Sequence, residues 1–202
     1  MRIVDLGCGS GIWAKELVNS GYGVVGVDIS PAMIEIARRR VPEAEFHVQS
    51  FLQFGVPACR AVTALGEVFN YLFDQDNSLD SLRRLFGEVF GALAPQGIFV
   101  FDVAEPGRGA GFQRACTEGE GWTCLVEYEY DRMQQQLTRR IITFRQIGSA
   151  YRRHQETHRQ QLYRGTTMAR ILREIGFRVR LVRRYGEYAL PKHGVGIIAR
   201  KP

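Results

Sequence analysis

The sequence predicts an α/β fold: a seven-stranded, mostly parallel sheet with an antiparallel last strand, helices on both faces, and an antiparallel β-meander inserted over residues 104–163. Three observations predict it. Up to residue 103, short continuously apolar runs alternate with segments of helical period, the pattern of parallel strands covered on both sides. From Trp122 to Tyr163 the period drops to two, as in strands with one face in water. The last two apolar runs, Phe177 to Val182 and Gly194 to Ala199, have no helical segment between them, so they pair as a hairpin and the final strand opposes the rest.

Each element follows from local chemistry. Arg2-Ile3-Val4-Asp5-Leu6 is a β-branched and apolar run closed by glycine, hence a buried strand. Trp13, Leu17 and Val18 then recur at helical spacing, and Gly21 suits the left-handed stop. Gly23 to Asp28 is the second strand. Ser30-Pro31 opens a helix, the hydroxyl accepting from free N–H groups and proline filling the first position; Arg38, Arg39 and Arg40 close it where the dipole favours positive charge. Ala44 to Val48 and Ala58 to Leu65 read as strands, and the apolar residues from Leu79 to Leu93 as one face of a long helix. Pro95-Gln96-Gly97 turns the chain into the apolar run Ile98 to Val103. Beyond it lie three alternating runs, Trp122 to Tyr130, Leu137 to Ile147 and Tyr151 to Tyr163, with turns at Asp131-Arg132-Met133 and Gly148-Ser149. Thr166 or Thr167 is the expected cap of a helix through Met168, Ile171, Leu172 and Ile175, ended by Gly176.

Composition bounds the class. At 202 residues and 45% hydrophobic, one soluble domain is expected. No apolar run approaches the roughly 18 residues of a membrane span, and no signal-peptide pattern opens the chain, so the expected location is cytoplasmic. Four cysteines at scattered positions fit neither a zinc pattern nor a disulfide scaffold and read as reduced, mostly packed thiols. The net charge of +6 is uneven: residues 1–101 carry 8 Lys+Arg against 11 Asp+Glu, and the remainder 19 against 10. The basic half reads as dispersed surface arginine, with a nucleic-acid track as the less favoured alternative.

Val4-Asp5-Leu6-Gly7-Cys8-Gly9-Ser10-Gly11-Ile12-Trp13-Ala14 places three glycines in a strand-to-helix turn. Such a turn lets a ligand approach bare backbone beside unpaired helix N–H groups. The glycines alone leave two cofactors open, because Gly9 to Ala14 with Asp28 also fits the dinucleotide pattern. Asp5 argues against a pyrophosphate, which it would repel, and for an amine. Together with Val25-Gly26-Val27-Asp28-Ile29-Ser30, Ala64-Leu65-Gly66-Glu67-Val68-Phe69-Asn70-Tyr71-Leu72 and Leu93-Ala94-Pro95-Gln96-Gly97-Ile98-Phe99-Val100-Phe101-Asp102, the loop resembles the ordered motifs of the class I S-adenosylmethionine-dependent methyltransferases, which have a Rossmann-like sheet. That resemblance implies S-adenosyl-L-methionine as cofactor, with Asp5 on the methionine amino group and the Gly7, Gly9 and Gly11 backbone against methionine and ribose. It further implies Asp28 on the ribose hydroxyls, Ile29 on the adenine, Ser50 or the Phe51 backbone near the adenine amino group, and Leu65 and Gly66 facing the reacting centre. Relatives usually carry one or two helices ahead of the first strand, where this sequence has only Met1 before Arg2; weaker cofactor retention is the expectation.

Methyl transfer asks the protein to align two reactants and exclude water, and for a base only if the nucleophile arrives protonated. On the third alternating run Arg152, His154, Glu156, His158 and Gln160 share one strand face. His158 oriented by Glu156 is the candidate base, and Tyr71 and Asn70, after the fourth strand, are candidate substrate contacts. The order His-x-Glu-x-His fits no metal motif, and its outer histidines lie roughly 13 Å apart on a strand, so no metal site is expected. A β insert after the fifth strand resembles small-molecule N- and O-methyltransferases, in which it covers the substrate or forms a homodimer contact. The alternatives kept open are an RNA or tRNA methyltransferase using the insert's arginines, an NAD-dependent oxidoreductase, and a non-catalytic cofactor-binding subunit.

Overall fold

The computed structural model describes residues 1–111 and 114–202. Chain order is β1 (Arg2–Leu6), α1 (Ile12–Asn19), β2 (Gly23–Asp28), α2 (Pro31–Arg40), β3 (Glu45–Val48), β4 (Cys59–Ala64), a 3-10 turn (Val68–Asn70), α3 (Leu79–Ala92) and β5 (Leu93–Ala104). The inserted sheet follows as β6 (Arg114–Gly119), β7 (Trp122–Asp131), β8 (Gln136–Ile147) and β9 (Ala150–Gln161). The chain closes with α4 (Gly165–Ile175), β10 (Arg178–Val182), the small hairpin β11 (Arg184–Tyr185) and β12 (Tyr188–Ala189), and β13 (Gly194–Arg200).

The main sheet has the order β10-β13-β5-β4-β1-β2-β3. Only β13 runs against its neighbours, β5 and β10, as the missing helix before it requires. Strand alternation divides the core. Val4, Leu6, Val62, Phe99 and Phe101 face α3 and α4, where Phe69 and Phe86 join them in a tilted and edge-on aromatic cluster. Ile3, Val24 and Ala61 face α1 and α2, and Asp5 lies on that same side by alternation. Strand order reverses between β4 and β1, so the crevice beyond their carboxyl ends is where an open sheet binds ligands.

Three expectations for the elements need correction. Leu93 does not belong to the helix and Pro95-Gln96-Gly97 does not separate helix from strand: α3 ends at Ala92 and β5 begins at Leu93, because Leu93 already pairs with Cys59 before a register shift carries the ladder to Ile98. The insert has four strands, not three: β6 pairs antiparallel with β7. Its sequence Arg-Ala-Cys-Thr-Glu-Gly is almost wholly exposed, so an edge strand formed there without an apolar alternation to announce it. Neither Thr166 nor Thr167 caps α4. The helix starts at Gly165 with Arg164 in the cap position, and the Gly165 N–H donates to Glu105 Oε1 at 2.9 Å, a carboxylate supplied across 60 residues. The cap at Ser30 and the proline at the start of α2 form as expected, Ser30 accepting from the Met33 N–H. All four cysteines are free; Cys8 and Cys59 are buried, whereas Cys116 is exposed.

The insert is held to the body by a few polar contacts. Asn70 is fully buried; its Nδ2 donates to the carbonyls of Ala104 and Gln161, and its Oδ1 accepts from the Ala104 N–H. The Leu72 N–H donates to Arg159 O, and Tyr71 bridges to Gln160, so the segment after β4 docks along β9. Tyr128 and Tyr130 pack on Ala104, Leu137 and Leu162, while Trp122 stays exposed.

Candidate active site

The glycine turn is shaped by contacts that exclude side chains. Gly7 sits at φ 67°, and a Cβ there would lie 2.5 Å from Val68 Cγ1, so the turn after β1 packs directly beneath the segment after β4. Gly9, at φ 53°, has no heavy atom within 4 Å of where a Cβ would be, leaving its backbone open to a ligand. The Gly7 and Cys8 N–H groups both donate to Val27 O. Asp28 completes the tie, its Oδ2 accepting from the Gly9 N–H and its Oδ1 from the Ser30 N–H, each at 2.9 Å. Each carboxylate oxygen keeps a second lone pair for a hydroxyl. Ile29, next along, is exposed.

Asp5 is buried at 3% exposure and accepts from Thr63 Oγ1 at 2.7 Å. Burial pushes its carboxyl up to about 7, opposed by the Thr63 hydrogen bond and reinforced by the charge of Asp28. A carboxyl in this state gains most from an arriving cation, which would ionise it. The sequence points to Asp5 but not to Thr63, a residue that matters only once β4 lies beside β1.

Gly66, at φ 95°, donates its N–H to Asp102 Oδ1, and the Glu67 N–H donates to Asp102 Oδ2, both at 2.9 Å. The end of β5 thus clamps the turn after β4. Burial, with Glu67 adding to it, raises the Asp102 carboxyl above the usual range, against the pull of the two N–H donors and Arg108. Glu67 is itself buried, with Oε1 2.9 Å from Arg108 Nη2 and Oε2 accepting from Gln160 Nε2 at 3.1 Å. None of Asp102, Arg108 or Gln160 carries a role on sequence grounds, since each acts through a partner 35 to 93 residues away.

The two residues expected near the adenine are placed unequally. The Gln49 N–H donates to Asp28 O, so the turn that follows lies beside the end of β2. Ser50 is buried, however, with its hydroxyl donating to Asp74 and accepting from the Leu52 N–H. The Phe51 ring turns edge-on to Phe69 in the core, leaving its backbone as the available group.

On the insert, the register sets His158 opposite Arg139 and Glu156 opposite Ile141, so these side chains share the inner face with Tyr128 and Tyr130. His158 Nε2 lies 2.8 Å from Glu156 Oε2, and His154 Nδ1 3.1 Å from Glu156 Oε1. Exposure falls along the strand: the His154 side chain is 64% exposed, that of His158 only 21%, and Gln160 is fully buried. His158 meets Tyr71 and Phe73 edge-on with ring centroids 5.8 and 5.1 Å apart. The fold therefore brings together the three candidate catalytic residues. Asn70 departs from its expected role: it is fully buried, and both its amide N–H groups are taken by backbone carbonyls. The arginines of the insert do not form one track: Arg139, Arg145 and Arg152 lie on the inner face and Arg140, Arg153 and Arg159 on the outer.

A family model described as a methyltransferase domain matches residues 1–182. This chain is a class I S-adenosylmethionine-dependent methyltransferase. Its cofactor is S-adenosyl-L-methionine, and the dinucleotide alternative left open by the glycines falls. The methyltransferase is 28% identical over 190 residues to a protein of Geobacillus sp. (strain WCH70) that carries a methyltransferase assignment, covering 88% of this chain and 74% of the relative. It is 27% identical over 169 residues to the dTDP-3-amino-3,6-dideoxy-alpha-D-glucopyranose N,N-dimethyltransferase of Streptomyces fradiae, covering 80% and 64%. The S-adenosylmethionine-bound amino pentose methyltransferase of Micromonospora echinaspora superposes with a TM-score of 0.77 at 18% identity, covering 100% of this chain and 83% of that one. Among the described residues, no helix is long and apolar enough to cross a membrane.

Proposed function

We propose that this methyltransferase modifies a nitrogen or oxygen of a small molecule held between the inner face of the β6–β9 sheet and the carboxyl ends of β4 and β5. The observation that carries the reading is the half-buried His158, joined to Glu156 and packed on Tyr71 and Phe73, on the segment that continues from Gly66. When bound, the cofactor supplies an electrophilic methyl carbon and leaves as a neutral thioether. The protein's own part is to bind, align and deprotonate. Asp5 faces the amino group, the open backbone at Gly9 gives room for close approach, and Asp28 takes the ribose hydroxyls through its free lone pairs. With Nε2 engaged by Glu156, neutral His158 keeps Nδ1 as the acceptor for the proton that the nucleophile loses. Glu156 fixes that tautomer and stabilises the imidazolium. Tyr71 walls the acceptor on the other side.

Similarity to an amino-sugar dimethyltransferase makes amino sugars and hydroxylated metabolites the first acceptors to screen. The test is release of S-adenosylhomocysteine across that panel, with His158→Gln and Glu156→Gln. His158→Gln should lower kcat by about 10²- to 10⁴-fold and remove the limb of the pH profile that reports the base, with cofactor affinity unchanged. A variant with full kcat and an unaltered profile sinks the assignment of the base.

A further inference from the structure

The inner face of the insert holds a cation without a counter-charge. Arg139 is half-buried on β8; its Nη2 donates to the Tyr71 hydroxyl, and its guanidinium carbon lies 5.4 Å from the centroid of the Tyr71 ring. Its Nε is buried and has no hydrogen-bond partner. Among the described residues, no carboxylate lies within ion-pairing distance of Arg139. Arg145 and Arg152 on the same face also lack a carboxylate among the described residues, but both stand exposed to solvent, whereas Arg139 is half-buried. Arg140, one residue on and facing the other way, sits 3.5 Å from Glu127 and 3.2 Å from Glu129, and Arg108 is matched by Glu67. A half-buried guanidinium whose Nε–H is buried and unpaired carries a desolvation cost that an incoming acceptor offsets.

A second orphan lies on the same face. Gln160 is fully buried, and its Oε1 has no partner. Its orientation is fixed, because Nε2 donates to Glu67 Oε2 and the flipped amide would set two oxygens against each other. The inner face thus offers an unsatisfied cationic donor at Arg139 and an unsatisfied neutral acceptor at Gln160, with Tyr71 touching both residues.

We infer that Arg139 is the anion-recognising residue of the acceptor pocket, and that the methyl acceptor carries a carboxylate or phosphate group together with a nearby hydroxyl or amine donor. The inference rests on the inner face being the acceptor site. The planar fork of arginine suits either oxyanion through two parallel hydrogen bonds. The Tyr71 hydroxyl occupies one Nη2 position and holds the fork in place before the ligand arrives. The exposed Phe73 ring, stacked on Tyr71 at 5.1 Å, extends the apolar wall beside it.

The experiment is calorimetric titration of phenyl phosphate, benzoate and neutral benzamide into protein saturated with S-adenosylhomocysteine, for the wild type, Arg139→Gln and Arg139→Lys. At least one anion should bind saturably and benzamide should not. Arg139→Gln should weaken the anion at least tenfold, and Arg139→Lys by less, since lysine keeps the charge and loses the fork. Phenyl phosphate against benzoate tells which oxyanion the pocket takes. The inference is overturned if neither anion saturates below about 10 mM, if benzamide binds as well, or if Arg139→Gln leaves anion affinity unchanged. It is also overturned if Arg139→Gln weakens S-adenosylhomocysteine instead, because the cation then serves the cofactor. Should Arg139→Gln fail to fold, Arg139→Lys decides by whether discrimination of anion over benzamide drops. Anion binding that survives alongside an unaltered kcat in His158→Gln would defeat the assignment of the base and leave Arg139 standing; cofactor binding without anion binding would do the reverse.

Discussion

Replacing Asp5 by asparagine should stabilise the protein and weaken its cofactor site at the same time. In the free protein the Asp5 carboxyl titrates at about 7 against an ordinary 3.8, chiefly because it is buried. A folded-state value above the unfolded one means that the folded protein binds this proton more tightly. The contribution to stability is then full below pH 3.8 and is lost as pH rises through 7. At 1.36 kcal/mol per unit, the loss relative to a neutral isostere is about 2 kcal/mol at pH 5 and about 4 kcal/mol at pH 8.5. Asparagine removes the titration while its Oδ1 still accepts from Thr63, so Asp5→Asn should gain stability over the wild type, and by more at pH 8.5 than at pH 5. Urea unfolding at both pH values reads this directly. With saturating S-adenosylmethionine the order should reverse, because only the carboxylate pairs with the ammonium group. For the same reason, wild-type affinity should fall about tenfold from pH 8 to pH 6, as the ionised fraction of a group titrating near 7 falls. A stability difference that does not change with pH, or a cofactor affinity that does not, refutes the reasoning that Asp5 is a buried acid awaiting a cation.

Asp28→Ala should weaken S-adenosylmethionine by roughly 1.5 to 3 kcal/mol, the size of charge-assisted hydrogen bonds, read by calorimetry with NAD as a non-binding control. Gly7→Val forces a Cβ to within 2.5 Å of Val68 at a positive φ and should cost at least about 2 kcal/mol by denaturant unfolding, with cofactor binding lost. Asn70→Ala removes the acceptor of the Ala104 N–H and a donor from the Ala104 and Gln161 carbonyls, the former keeping only the Tyr163 N–H; a cost of about 3 kcal/mol is expected, together with faster hydrogen exchange where β5 meets the insert. Phe99→Ala, at the centre of the aromatic cluster, should cost about 3 to 5 kcal/mol without altering the pH profile of activity.

What could be read in the sequence followed from local rules. Continuous apolar runs, the Ser30-Pro31 start and a final pair of strands without a helix between them determine the parallel sheet and its one reversed strand, because those signals depend on residues near each other in the chain. The glycine turn and its tie to Asp28 are legible for the same reason: Gly7 to Gly11 and Asp28 belong to consecutive elements. His158 and Glu156 share a face through strand period alone. What decided the rest was contact between distant segments. The polar β6 became a strand only because β7 offered it an edge, and α4 took its cap from Glu105 rather than from the threonines beside it. Asn70 reads as a site residue by position, but the tertiary fold buries it completely and spends both its amide N–H groups in holding the insert. The reverse happened at Thr63, Asp102, Arg139 and Gln160, whose chemistry depends on a partner, or on the lack of one, that no neighbouring residue reveals. Periodicity fixes which face a side chain occupies; only the packed structure decides which polar atoms on that face are already satisfied and which are left for a ligand.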